Sequence, residues 1–252
     1  MAQARHVGKV VVDLADPDLS AAQDLGAPLA LRADGSYLVT GGARGFGLET
    51  ARMLAQAGAG EVIVLSRTPP ARADLAALRR SGARVTVATA DVTDRAALSA
   101  VLAGTAHPLR GVFHAAMVLD DALVDQLTPA QLTRVLAPKV LGAWLLHELT
   151  ADAPLDHFVL FSSVAAVFGS AGQANYVAAN AALDALARHR HARGLPGLAV
   201  NFGPLGGSGV VARNAAMARY LESLGLRPVD GGAALAALAD ALRTDVAQVT
   251  VA

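Results

Sequence analysis

The stretch Ser36-Tyr37-Leu38-Val39-Thr40-Gly41-Gly42-Ala43-Arg44-Gly45-Phe46-Gly47-Leu48 decides how the rest of the chain is read. A short run of strand-forming side chains ends in a cluster of glycines, and a helix-length segment follows at once. The glycines at 41, 45 and 47 keep a GxxxGxG spacing, unlike the commoner GxGxxG. The physical need is the same: a tight turn, and a backbone that approaches a pyrophosphate over the next helix N-terminus. A glycine motif alone is weak, but between a strand and a helix it makes a dinucleotide the expected ligand.

Working outward, six more short apolar runs resemble the first, at 61–65, 84–88, 111–114, 157–161, 198–202 and 248–251. They are nearly continuous in Val, Ile, Leu and Phe, as expected of strands covered on both faces. Helix-length segments separate them at about 46–57, 70–81, 94–103, 128–150, 174–193 and 230–243. Residues Asp91-Val92-Thr93-Asp94 offer an N-cap to the third, and Thr128-Pro129 places Pro in a first helical turn. This alternation predicts a Rossmann-like, doubly wound α/β fold: a mostly parallel seven-stranded sheet with helices on both faces. The Gly-rich stretch 203–228 interrupts the last crossover and reads as a lid insertion. Residues 1–35 stand outside the alternation, with one strand-like run at 9–12 and then a linker. The nucleotide-binding domain is expected at 36–252.

Composition narrows the function. The 252 residues carry 21 basic and 21 acidic side chains, 54% apolar residues and no cysteine. Without a basic excess, a nucleic-acid partner is not expected. Without Cys there are no thiolate metal sites, disulfides or thiol catalysis, and the seven His have no HExxH-like spacing, so no metal is expected. No stretch of about 18 apolar residues and no secretory core segment is found, so a soluble cytoplasmic protein is expected.

Two sites follow from the fold. Strand two ends Leu65-Ser66-Arg67 with no acid at its tip, and Arg44 lies in the glycine loop. A carboxylate there would accept ribose hydroxyls; two guanidiniums and a hydroxyl suit a 2′-phosphate, so NADPH is the expected cofactor. Asp91, just past strand three, either meets the adenine amino group or only caps the following helix. His114 is expected to line the nicotinamide end of strand four. Tyr176 opens the helix after Ser162-Ser163, and its separation of thirteen positions from Ser163 allows the two hydroxyls to meet. Such a pair beside a nicotinamide suits carbonyl reduction, with Tyr176 as proton donor and Ser163 holding the carbonyl oxygen. Only two lysines occur, Lys9 and Lys139, and Lys139 is the candidate cation beside the phenol. Asn180, one helical turn after Tyr176, would orient Lys139 or a relay water.

With these residues in place, the block from Leu38 to Val251 resembles the catalytic half of the ketoreductase domain of type I modular or iterative polyketide synthases. That family lies within the short-chain dehydrogenase/reductase superfamily. Tyr176-Val177-Ala178-Ala179-Asn180 replaces the superfamily's Tyr-x-x-x-Lys, with Lys139 on the preceding helix, an exchange typical of synthase ketoreductases. Phe161-Ser162-Ser163, Gly172-Gln173-Ala174-Asn175-Tyr176 and Val200-Asn201-Phe202-Gly203-Pro204 carry the resemblance further. It implies NADPH-dependent reduction of a β-ketoacyl thioester carried on the phosphopantetheine arm of an acyl carrier protein. It also implies a cofactor set of Thr40, Gly41, Gly42, Arg44, Gly45, Phe46, Gly47, Ser66, Arg67, Asp91, Val92, His114, Ala115, Ala116, Lys139, Tyr176, Pro204 and Leu205. Leu119-Asp120-Asp121 resembles the B-type fingerprint for D-configured products. Asn175 agrees with that type, Ala171 departs from its usual Pro, and Phe168 stands where the A-type has Trp. The opening residues look like the tail of an enoylreductase domain. The further partners implied are that domain and an upstream structural half. Two other readings stay open: a free-standing reductase of small carbonyl compounds, and a non-catalytic nucleotide-binding scaffold.

Overall fold

The computed structural model describes residues 29–206, 225 and 227–252. The run at 9–12 and most of the 203–228 insertion lie outside them. Seven strands form one sheet: β1 (Ser36–Thr40), β2 (Glu61–Ser66), β3 (Arg84–Thr89), β4 (Leu109–His114), β5 (His157–Ser163), β6 (Leu198–Phe202) and β7 (Gln248–Val251). Their order is β3-β2-β1-β4-β5-β6-β7, and every pairing is parallel. The chain winds outward from β1 to β3, then returns to the other side of β1 for β4. The crevice at that reversal, at the carboxyl ends of β1 and β4, is where an open α/β sheet places its ligand.

Continuous apolar strands are explained by two cores. Tyr37 and Val39 of β1 pack into one layer with α1 (Gly45–Gln56) and α8 (Gly231–Ala241), while Leu38 faces the other. That second layer takes α3 (Arg95–Ala103), α5 (Gly142–Leu149) and α7 (Ala174–Ala192). Helix α2 (Arg72–Arg79) adds Leu78 to the first. At the amino ends of the strands Glu61 is buried and accepts hydrogen bonds from Ser36 Oγ (2.6 Å), Thr86 Oγ1 (2.6 Å) and the Ala106 N–H (2.8 Å). Burial alone would raise its carboxyl pKa, but these donors and Arg84 hold it below the usual range.

Three local expectations change. The helix expected at 128–150 is α4 (Pro129–Leu136), a π-helical turn (Ala137–Leu141) and α5. Pro138 has no N–H to donate and crowds the carbonyl one turn back, so an α-ladder cannot run through it; the wider turn absorbs the defect. The cap of α3 is Asp94, which accepts from the N–H groups of Ala96 (2.9 Å) and Ala97 (3.1 Å), not Asp91. A short helix, α6 (Ala165–Phe168), fills the loop between Ser163 and Tyr176. At α4 the expectation holds: Thr128 and Gln131 form a capping box with Pro129 in the first turn.

Candidate active site

A cleft of about 1220 Å³ opens at the carboxyl edge of the sheet. Its floor is the glycine loop and the start of α1. Gly41 holds φ +71°, and a Cβ on Gly47 would lie 2.5 Å from the Gly41 carbonyl oxygen, so neither position admits a larger side chain without moving the loop. Arg44, the N-cap of α1, makes no side-chain capping bond, and no acid lies in the first turn. The first N–H groups of α1 and its dipole are thereby left to an anion in the cleft, which suits a dinucleotide pyrophosphate. Gly41, Arg44, Gly45, Phe46, Gly47, Ser66, Arg67, Asp91, Val92, Ala115, Ala116, Pro204 and Leu205 all line it. Asp91 accepts from the Thr93 N–H (2.9 Å) and Thr93 Oγ1 (2.7 Å). These bonds, with Arg67 nearby, lower its pKa against the opposing effect of burial.

Thr40, Gly42 and His114 stand behind the wall of the cleft rather than in it. The His114 ring is buried, which corrects the expectation that it lines the nicotinamide end. Its Nε2 faces the Lys139 carbonyl oxygen at 3.0 Å, and a carbonyl only accepts, so Nε2 carries the proton and Nδ1 accepts from Thr40 Oγ1 at 2.8 Å. Burial and the Lys139 charge pull its pKa down to about 4, matching this neutral ring. His114 therefore ties β1 to the π-helical turn that carries Lys139.

The turn aims Lys139 inward. Its Nζ donates to the Phe161 carbonyl (2.7 Å) and to Asn180 Oδ1 (2.6 Å), and lies 5.3 Å from the Tyr176 ring centre. Asn180 Nδ2 donates back to the Tyr176 carbonyl at 2.8 Å. Burial draws the Lys139 pKa down to about 7, with the Asp184 carboxylate opposing. Tyr176, Ser163 and Lys139 all face the cleft. Burial raises the Tyr176 phenol pKa and keeps it protonated, although hydrogen bonds with Ser163 and Asn180 act the other way and the Asp121 charge adds to the rise. At the mouth, Asp120 pairs with Arg134 and accepts from Gln131, and its carbonyl takes the Asn175 amide N–H (2.8 Å). Asp121 accepts from Gln173 Nε2 at 2.8 Å. Leu119 lines the cleft; Asp120 and Asp121 brace it from outside.

This geometry has counterparts in known proteins. The KR domain family model matches residues 35–207. The chain belongs to the KR domain family. The chain is 40% identical over 247 residues to the lovastatin diketide synthase lovF of Aspergillus terreus, which covers 96% of this chain and 10% of that protein. It is 45% identical over 210 residues to polyketide synthase GfsB of Streptomyces halstedii, covering 81% of this chain and 4% of that one. A solved A-type ketoreductase from a modular polyketide synthase superposes with a TM-score of 0.85 at 44% identity, covering 90% of this chain and 49% of the other. The chain thus spans about a tenth or less of large synthases and half of a solved ketoreductase. Membership of the KR domain family implies a fold that holds a nicotinamide cofactor. Within this KR domain, Asp184 and Asn201 are buried behind Ser162 and Ser163; sequence reasoning misses Asp184 and gives Asn201 no role of its own. A signal existed: Tyr176, Asn180 and Asp184 are spaced four apart on one helical face, and an acid on an Ala-rich buried face calls for a partner.

Proposed function

We propose that the chain is an NADPH-dependent β-ketoacyl reductase acting on an acyl thioester tethered to a carrier protein within a polyketide synthase. The observation that carries this reading is the convergence of Lys139, Tyr176 and Ser163, with Asn180 behind them holding Lys139, on the same cleft that the glycine loop, Arg44 and Arg67 line. NADPH, when bound, supplies the hydride that reduces the β-carbonyl carbon. Tyr176, held neutral, gives its proton to the carbonyl oxygen as negative charge develops there, and Ser163 holds that oxygen by a hydrogen bond. Lys139 places a positive charge beside the phenol, which stabilises the phenolate left behind. Asn180 fixes Lys139 through its carboxamide oxygen. At the other end, Arg44 and Arg67 would take the 2′-phosphate.

The test is steady-state reduction of a β-ketoacyl thioester surrogate with NADPH and with NADH, in the native chain and in Tyr176→Phe. Turnover with NADPH is expected in the first. In the variant turnover should be lost while the Kd for NADPH stays within about threefold, because the phenol is the proton donor but only one contact among many to the dinucleotide. Undiminished turnover in Tyr176→Phe removes the assignment. Binding without turnover in the native chain favours the scaffold reading, and equal use of untethered small ketones favours the free-standing reductase.

A further inference from the structure

Behind the catalytic wall lies a buried polar network that the reduction scheme does not use. Asp184, on α7 and only 4% exposed, accepts from Asn201 Nδ2 at 3.0 and 3.2 Å and from Gln248 Nε2 at 3.1 Å. The fully buried Asn201 also donates from Nδ2 to Ser162 Oγ (3.1 Å) and to the Ser163 carbonyl (3.1 Å). Ser162 Oγ donates in turn to the Asn180 carbonyl at 3.3 Å, and Asn180 receives the Lys139 ammonium. A continuous hydrogen-bonded path therefore runs from the Asp184 carboxylate to the cation and to the backbone of Ser163. The donors that reach Asp184 are neutral amides. Burying a carboxylate on such partners is costly, and the cost is offset where its charge faces an opposite one.

We infer that Asp184 is a positioning residue of the reductase site, a buried counter-charge for Lys139 that also anchors Ser163 through Asn201. This rests on the reductase reading given above. The groups that face Lys139 are Tyr176 and Asp184 from α7 and the neutral His114 from β4. Those around Asp184 are Asn201 of β6 and Gln248 of β7, whose amide oxygen accepts from Arg188 of α7 at 2.6 Å. Asp121 faces Tyr176 from the mouth. Among these, Asp184 is the charge that favours a protonated Lys139. A merely structural clamp would hold α7 against β6 and β7 without regard to the charge on Lys139.

Two measurements separate these roles. The first is the pH profile of kcat/KM for ketone reduction. Activity should fall as pH rises through the Lys139 pKa, and Asp184→Asn, which keeps the size and one acceptor oxygen while removing the charge, should move that limb downward by roughly one pH unit. The second needs no cofactor and no turnover: the denaturant midpoint at about pH 6 and about pH 9. Folding lowers the Lys139 pKa from 10.5 to about 7, so a charged Lys139 burdens the folded state below pH 7 and that burden fades above it. Loss of the counter-charge should therefore lower the midpoint at least about twofold more at the acid pH than at the alkaline one. Should Asp184→Asn fail to fold, Gln248→Lys at the edge strand retains the carboxylate, neutralises it, and should shift both readouts in the same directions. An unmoved limb together with equal midpoint losses at the two pH values overturns the inference. If the native chain shows no turnover at all, the reductase reading fails, and the midpoint pair still decides the role of Asp184.

Discussion

Arg44 and Arg67 are exposed at one end of the cleft, one from the glycine loop and one from the tip of β2. Their placement follows from local sequence, because the residue after a strand in this fold falls beside the ribose whatever packs elsewhere. Arg67→Ala, alone or with Arg44→Ala, should raise the KM for NADPH about ten- to hundredfold and leave that for NADH little changed, since the lost contacts are charge-assisted bonds to a phosphate that NADH lacks. Paired titrations with the two cofactors check this, and equal weakening of both would refute the 2′-phosphate reading. His114 shows the opposite case. A histidine at a strand end reads as a site residue, but its two partners, Thr40 and Lys139, lie 74 and 25 residues away in sequence. No local signal says that the ring turns inward. Asp91 and Asp94 were ambiguous for a similar reason, since either carboxylate could reach the first N–H groups of α3 until the backbone angle was known.

At the scale of elements, the loop Leu119-Asp120-Asp121 and the start of α7 behave as one piece. Asn175 bonds the loop carbonyl with Nδ2 and the Tyr176 N–H with Oδ1 (both 2.8 Å), while Gln173 holds Asp121 and α4 holds Asp120 through Gln131 and Arg134. The wall on one side of the cleft is therefore braced against Tyr176. Hydride leaves one fixed face of the nicotinamide, so the hand of the alcohol depends on how the ketone enters past this wall. We expect a D-configured β-hydroxy product. Asp120→Ala with Asp121→Ala should lower the diastereomer ratio by roughly tenfold, within the discrimination of about 1–3 kcal/mol that pocket contacts give. Chiral chromatography of the product from a carrier-bound substrate measures both, and a predominantly L alcohol in the native chain overturns the reading. Phe168, which the B-type resemblance sets where the A-type has Trp, is 70% exposed at the lip of the cleft. The π-helical turn was unread although Pro138 was in plain view. The turn carries Lys139, whose carbonyl oxygen accepts from His114 Nε2 while its Nζ reaches the Phe161 carbonyl and Asn180.

For the whole molecule, the sheet order and both cores are those of a two-faced α/β layer, and no helix of the described residues is long and apolar enough to cross a membrane. The chain spans 49% of a solved A-type ketoreductase, and Leu141, Trp144 and Val246 remain between 41% and 46% exposed on its surface. We expect residues 1–252 alone to melt lower, and to associate more, than a chain that also carries the upstream structural half, because a partner half would cover such apolar surface. Differential scanning calorimetry and light scattering on the two chains test this; equal midpoints with no change in association would refute it. The sequence by itself determined the seven strands, their parallel arrangement and the glycine loop, and it nominated Tyr176, Ser163, Lys139 and Asn180 as candidates. The strands and the loop are local signals, carried by the apolar run and the turn chemistry. The tertiary structure alone decided that His114 braces Lys139 rather than lining the cleft, that the Lys139 ammonium meets Phe161 and Asn180, and that Asp184 reaches Ser163 through Asn201. Those contacts join residues far apart in sequence, and only sheet order and the packing of α7 on β5 and β6 bring them within hydrogen-bonding distance.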